Sequence, residues 1–428
     1  MKKISIGKLA KIINAAPPKN TSGFITGVST DSRTVKPGDC FFAVKGENFD
    51  GHDYIARALG KKAACVVASS DTTSGNVLKV QDSVKALGCL AAHYRNDCNF
   101  KVVAITGSVG KTTTRQITYH VLSKHFKTFQ APANFNNSIG LPMTLLAADP
   151  DDQIIIAELG SSYTGEIEYL TKIAAPDIAV VTKICLAHLE GLKDLEAIKK
   201  EKLSIAQGLK PDGVLITDAA SKLKPQNPAF KESSTTFSLN GIDITLPLLG
   251  QGNIENAITA FAICEQFGIT LNQFADAIKT LPPIPMRTEL IKTETLTILN
   301  DCYNANPASM KNALKILDDM NPNENQRKVF ICGDMAELGN DEKHLHQQLG
   351  KDIADNNIQL LIAIGPLANL AAQAAKKIKK QNLQTYSFKD TISACNQLNE
   401  FIKKDDIVLI KGSRAAKLEA AVKKLKSL

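Results

Sequence analysis

AITGSVGKTTT, Ala104 to Thr114, is the stretch on which the reading of this chain turns. The apolar run KVVAIT, Lys101 to Thr106, has the composition of a buried strand, and a helical pattern starts near Lys111. Between them, Gly107 and Gly110 permit a tight turn in which the backbone N–H groups of Ser108, Val109 and their neighbours converge on phosphate oxygens. The helix that follows turns its positive end toward the same anion. Lys111 is expected to reach the β- and γ-phosphates and the Thr112 hydroxyl to hold Mg²⁺, with Thr113 completing the loop. Ile105 stands where the common GxxxxGK[ST] loop has its first glycine, so this is a shorter TGxxGKT form. Strand, glycines, lysine and paired threonines together set it apart from a plain glycine turn.

Outward from that loop, short β-branched runs alternate with helical stretches, which predicts α/β domains with largely parallel sheets. At 428 residues the chain exceeds what one core organises, and 44% hydrophobic content supplies each domain with a core. The first block, 1–97, holds FFAVKG (Phe41 to Gly46), ACVVAS (Ala64 to Ser69) and a helical stretch from Ser83 to Arg95, with the polar segment Asn96 to Asn99 as linker. The second, 98–287, continues through IIIAEL (Ile154 to Leu159), IAVVTKI (Ile178 to Ile184) and GVLIT (Gly213 to Thr217). The proline cluster LPPIPMR, Leu281 to Arg287, ends it. The third, 288–428, runs LTILND, KVFICG, LLIAIG and IVLIKG with helices between, the rhythm of a Rossmann-like doubly wound domain that binds ligands beyond the carboxyl ends of its strands.

Composition narrows the function classes. The net charge of +8 is scattered, without the dense basic block of a nucleic-acid arm, and lysine-rich ends such as KKIKK, Lys376 to Lys380, read as solvated helix faces. Nine cysteines, odd in number, widely spaced and without a CxxC pair, read as reduced thiols in cores and hence the cytosol. No run approaches the roughly 20 apolar residues of a membrane span, so a soluble cytoplasmic protein is expected.

A phosphate loop alone does not separate kinase, NTPase and ligase. Glu158, at the end of IIIAEL, is placed like the acidic metal ligand that other phosphate-loop enzymes carry on a neighbouring strand; the structural alternative is a sheet-edge glutamate facing water. His188, in KICLAHLEG, lies beyond the strand starting at Ile178, where it is either a loop residue or part of the site.

Together these residues resemble the Mur ligase family, whose phosphate loop has the same short form. ELGSSYTGEI (Glu158 to Ile167), AHLEG (Ala187 to Gly191) and ANFNNSIGLP (Ala133 to Pro142) are similar to its central domain. STDSR (Ser29 to Arg33), GDCFFAVKG (Gly38 to Gly46) and FDGHDYI (Phe49 to Ile55) are similar to its UDP-sugar domain. DCYNANPASM (Asp301 to Met310), GDMAELG (Gly333 to Gly339) and KGSR (Lys411 to Arg414) resemble the C-terminal domain of the branch that adds a dipeptide rather than a single amino acid. The resemblance implies an ATP-dependent ligase of cytoplasmic peptidoglycan precursor synthesis that joins D-Ala-D-Ala to UDP-N-acetylmuramoyl-tripeptide through an acyl phosphate; no motif gives the oligomeric state, and a monomer is the default expectation.

It also implies residue roles. Lys111 would neutralise the transferred phosphoryl group, Thr112 and Glu158 would share one Mg²⁺, and His188 would help to hold a second. A carbamylated lysine would join the metal set; AIKKEKLSI offers Lys199, Lys200 and Lys202, and the spacing favours Lys202. Asn253 would contact adenine, Arg287 the phosphates, and Asp301 and Tyr303 the nucleotide. Ser29, Thr30, Asp31, Ser32, Arg33, Gly51 and His52 would surround the uridine diphosphate. Asn136 and Asn137 would lie beside the nucleotide and peptide sites, and Asn304, Asn306 and Ser309 near the incoming amine. Two departures stand out: the family's GxHN string reads GQGN, Gly250 to Asn253, and an acidic pair before YNANP is Asn300 and Asp301. The rivals are a folylpolyglutamate synthase-like ligase, which would leave the N-terminal motifs unexplained, and a catalytically silent nucleotide-binding homologue.

Overall fold

The computed structural model describes residues 1–16, 22–46, 49–70, 76–132, 134–320, 326–378 and 383–428. In the first domain β1 (Gly27–Ser29), β2 (Asp39–Phe42), β3 (Cys65–Ala68) and β4 (Val77–Lys79) form a parallel sheet in that order. Helix α1 (Ser83–Asp97) is capped by Asp82, whose carboxylate accepts from Val84 and Lys85 N–H, satisfying two of the donors a helix start leaves open.

No flexible linker follows. The helix runs on to Asp97, and the buried Arg95 donates to the carbonyls of Phe100, Ala174 and Ala175 and pairs with Asp177 at 2.7 Å. The expected linker at Asn96 to Asn99 is therefore a rigid joint, because a buried guanidinium must have its donors met and finds them on the second domain.

The central sheet contains β5 (Lys101–Thr106), β6 (Thr128–Gln130), β7 (Ile154–Glu158), β8 (Ile178–Val181) and β9 (Val214–Thr217), in the order β9-β8-β5-β7-β6, all parallel. Both faces are covered, which is why its middle strands read as unbroken apolar runs. One face shares a core with the first domain through Leu87, Leu90, Leu141 and Ile155; the other packs Ile105, Ile117, Ile156 and Ile258. The helices that matter for the site are α2 (Lys111–Leu122), α3 (Gly140–Ala147), α4 (Glu166–Ala174), α5 (Leu195–Leu203) and α6 (Gln251–Glu265). An antiparallel three-stranded sheet, β10 (Gln226–Phe230), β11 (Thr235–Leu239) and β12 (Ile242–Leu246), stands outside the strand inventory read from sequence.

Leu281 to Arg287 contains neither helix nor strand, as its prolines require. The third domain has β13 (Glu289–Lys292), β14 (Thr297–Asn300), β15 (Lys328–Gly333), β16 (Leu360–Ile364), β17 (Gln384–Phe388) and β18 (Ile407–Lys411), in the order β13-β14-β18-β15-β16-β17. Only β13 runs antiparallel, as an edge strand. Helix α7 (Pro307–Asp319) follows β14. Leu189, Leu192, Ile198 and Leu249 of the central domain join the core formed by Leu299, Met310 and Phe330, so the second and third domains meet through apolar surface as well as across a cleft.

Candidate active site

The carboxyl ends of the central strands and the β14–α7 turn face each other across a cleft of about 840 Å³. Its floor is the loop Ser108 to Thr113, with Gly110 at a φ of 93° as the cap of α2. Left-handed geometry there, and a Cβ that would meet Thr182 and Asn256, leave glycine as the residue that fits at Gly107 and Gly110. Ser108 ties the loop to the segment beyond β8 by donating to Cys185 O at 2.8 Å. Lys111 folds back on the loop, its ammonium donating to Gly107 O at 2.6 Å. Burial pushes the Lys111 pKa down, with Glu158 opposing and Arg287 adding to the shift. A cation so held gains most from an anionic ligand arriving at the loop.

Glu158 is 2% exposed on β7, which lies inside the sheet, so the water-facing alternative does not hold. Its Oε2 accepts from Thr112 Oγ1 at 3.3 Å, and Arg115 Nε stands 3.0 Å from Oε1. The Arg115 contact is an ion pair out of line for a hydrogen bond, so Oε1 remains a buried oxygen without a donor. Arg287 stacks on Tyr303 with its guanidinium carbon 4.0 Å from the ring centre and donates to Thr112 Oγ1 at 3.3 Å, while its Nε has no partner. Thr112 and Glu158 supply hard oxygens beside the phosphate loop, a donor set that suits Mg²⁺ once phosphate oxygens complete it. Among the described residues no three His, Cys, Asp or Glu side chains form a metal cage by themselves.

His188, in left-handed conformation beyond β8, points Nδ1 to Ser162 Oγ at 3.4 Å and makes a short contact with Glu337 Oε2 from the third domain. That hydrogen bond holds the Glu337 carboxyl below the usual range. Behind this edge, α5 pins the loop Gly160 to Gly165. Glu201 accepts from Gly165 and Ile167 N–H at 2.7 and 2.8 Å, and Lys202, 1% exposed, donates to Ser161 Oγ at 2.7 Å. Burial, then repulsion from Lys111, lowers the Lys202 pKa to about 7. Lys199 and Lys200 are exposed on the same helix.

From the third domain, Asp301 accepts from Lys411 Nζ at 2.6 Å and from Thr288 N–H at 3.1 Å, a buried ion pair at the cleft wall. Asn253 donates to Leu249 O and Thr288 Oγ1. Asn304, Asn306 and Ser309 line the cleft, yet their side-chain hydrogen bonds are local, and it is the Asn304 carbonyl that accepts from Lys411 Nζ at 3.0 Å. Asn306 Oδ1 accepts from Ser309 N–H and Ser309 Oγ from Asn306 N–H, a capping box that starts α7, and Asn304 Oδ1 accepts from Ala305 N–H. Asn136 and Asn137 also line the cleft; Asn137 Oδ1 caps the turn into α3 by accepting from Gly140 N–H at 2.8 Å. Ala133 of the same string lies outside the described residues, as do Lys379 and Lys380 of the lysine-rich helix end.

Residues 29–33 with Gly51 and His52 stand apart from this cleft, in the first domain. Arg33 forks onto Asp31 at 2.8 to 3.1 Å and holds its pKa at about 2. Ser29 Oγ donates to Asp31 O, while Thr30 and the buried Ser32 lie in the same turn. His52 Nδ1 meets Asp50 at 2.5 Å and Nε2 accepts from Ser69 N–H at 3.0 Å, and Gly51 packs on the backbone of Val44. The residues that sequence reasoning missed are Ser161, Glu337 and Lys411 on the cleft lining and Arg115 and Glu201 behind it. All but Arg115 lie within motifs named above, but nothing local signals that a loop glutamate pairs with a histidine 149 positions away.

Three family models match in chain order: Mur ligase family, catalytic domain, at residues 24–95; Mur ligase middle domain at 105–232; and Mur ligase, glutamate ligase domain, at 286–414. A UDP-N-acetylmuramoyl-tripeptide–D-alanyl-D-alanine ligase of Bacillus subtilis is 34% identical, covering 99% of each chain. A crystal structure of MurF from Acinetobacter baumannii superposes with a TM-score of 0.89 at 27% identity over 100% of both chains. The MurF ligase of Thermotoga maritima in complex with ADP gives 0.83 at 27% identity, covering 94% of this chain and 97% of that one. With three matching domains in order and a relative aligned end to end, the chain belongs to the Mur ligase family.

Proposed function

We propose that the chain joins D-alanyl-D-alanine to UDP-N-acetylmuramoyl-tripeptide in an ATP-dependent reaction, giving the pentapeptide precursor, ADP and phosphate. The observation that carries this is a phosphate-loop cleft walled by the third domain, in a chain that aligns end to end with relatives named for that reaction. The tripeptide's terminal carboxylate attacks the γ-phosphorus of ATP, ADP leaves, and an acyl phosphate forms. The dipeptide amine then attacks the acyl carbonyl, loses a proton, and phosphate departs.

Lys111 and the loop N–H groups stabilise charge on the transferred group. Arg287, steadied by Tyr303, stands beside Thr112, where it would meet the phosphates. Mg²⁺, held by Thr112 and Glu158 with a second ion at His188 and a carbamylated Lys202, would offset negative charge there. Carbamylation of Lys202 is supported by its lowered pKa, since the neutral amine is the form that adds carbon dioxide. The third domain keeps water from the acyl phosphate. Ser29 to Arg33, Gly51 and His52 would hold the uridine diphosphate end.

Among the described residues no helix is long and apolar enough to cross a membrane. Use of ATP and nine free thiols support a cytoplasmic location. The family model at residues 24–95 favours this reading over a folylpolyglutamate synthase-like one.

The test is phosphate release from ATP with the UDP-linked tripeptide. It should rise strongly on adding D-Ala-D-Ala and hardly with D-Ala, L-Lys or glutamate. Equal turnover with a single amino acid would refute the dipeptide assignment, and no turnover with any acceptor would favour a silent homologue.

A further inference from the structure

We infer that Asn312 recognises the nucleoside half of ATP, in space that Gly252 leaves open; this rests on reading the cleft as the ATP site. The third-domain helix α7 packs on the start of α6. A Cβ at Gly250 would run into Ile316, and one at Gly252 would stand 3.1 Å from Asn312 Oδ1 and 3.4 Å from both its Cγ and its Nδ2. Asn312 therefore fills volume that any side chain at 252 would claim, at the position where the family string carries histidine.

The Asn312 amide is uncommitted. It is half-buried and lines the cleft, yet no hydrogen bond joins it to any described residue. Its neighbours differ: Asn253 is bonded to Leu249 and Thr288, Asn256 to Asn253, Asn304 to Ala305, and Asn306 to Ser309. A carboxamide offers two donors and an acceptor with two lone pairs, a set that can read the edge of a base or a ribose hydroxyl.

Geometry puts the nucleoside on that side. Asn256 on α6 sits so close to the phosphate loop that a Cβ at Gly110 would meet its Oδ1, and it lies 3.5 Å from Thr114 Oγ1. The first two turns of α6 are thus the wall next to the phosphates. A nucleotide with its phosphates on Ser108 to Thr113 has that wall, and Asn312 above Gly252, along its path out of the loop.

ADP binding to the full-length protein, measured by calorimetry, tests this. Asn312→Ala and the similarly sized Asn312→Asp should weaken ADP roughly tenfold, the scale of one or two uncharged hydrogen bonds, with an unchanged melting temperature. Inhibition by tripolyphosphate, which has no nucleoside, should not change. Gly252→His should weaken ADP in the otherwise unaltered protein, because it displaces Asn312, but should cause no further loss on top of Asn312→Ala. Unchanged ADP affinity in both Asn312 variants, or equal losses for ADP and tripolyphosphate, would overturn the inference. If the unsubstituted protein failed to bind ADP, the cleft reading itself would fall, and this inference with it.

Discussion

Lys111 and Lys202 carry opposite lessons about what a lysine's neighbours do. Lys111 stays beside a carboxylate at the loop, so in the proposed reaction its loss would remove a preorganised positive charge from phosphoryl transfer. Lys111→Ala should lower turnover by roughly two orders of magnitude with an unchanged circular-dichroism spectrum; near-normal phosphate release would take the loop out of the mechanism. Lys202 sits dry behind Ser161, with Glu201 nearby but turned to the backbone of α4. Its ammonium is disfavoured, which is the condition for adding carbon dioxide near neutral pH. Lys202→Ala should be nearly inactive and partly restored by short carboxylic acids, whereas Lys199→Ala and Lys200→Ala, altering exposed lysines, should stay active. The reverse pattern would move the proposed modification to another lysine. Sequence spacing pointed to Lys202; its burial, which supports the proposal, is set by residues 41 positions apart.

At the level of elements, α7 shows a string chosen for ligand binding doing helix work. Asn306 and Ser309 close a capping box around a proline at the first turn, so much of YNANPASM is accounted for by starting a helix whose first turn borders the cleft. Asn306→Ala should cost about 1 kcal/mol of stability, seen as a lower melting temperature, and Asn306→Asp almost none, since both side chains cap well. Should Asn306→Asp keep its stability but lose turnover with D-Ala-D-Ala, the side chain has a second role toward the acceptor. Asn-x-x-Ser around a proline spells such a cap locally, although the motif points first to the acceptor. That its helix packs against Gly250 and Gly252 was not legible, because two helices far apart in sequence leave no local trace of their contact.

The whole molecule is a phosphate-loop domain held firmly to the first domain and bridged more lightly to the third. The first joint is buried guanidinium and apolar core; the second adds to its apolar contacts an exposed-edge bridge, His188 to Glu337, across the cleft. Glu337→Ala should speed proteolytic cutting within Leu281 to Arg287 and raise the KM for the acceptor more than it lowers kcat. Unaltered cutting would mean that the bridge does not hold the domains together. Residues adjacent in sequence determined a good deal on their own: the phosphate loop, the three α/β blocks and the family all follow from strings whose chemistry is local, since a glycine turn, a strand period and a helix cap each need only a few neighbours. Only the tertiary structure decided that Glu158 is buried against Arg115, that Lys202 is dry, that the Asn96 to Asn99 segment is a rigid joint, and that Asn312 meets Gly252. Those are properties of burial and of approach between distant segments, which exist only once the chain has folded.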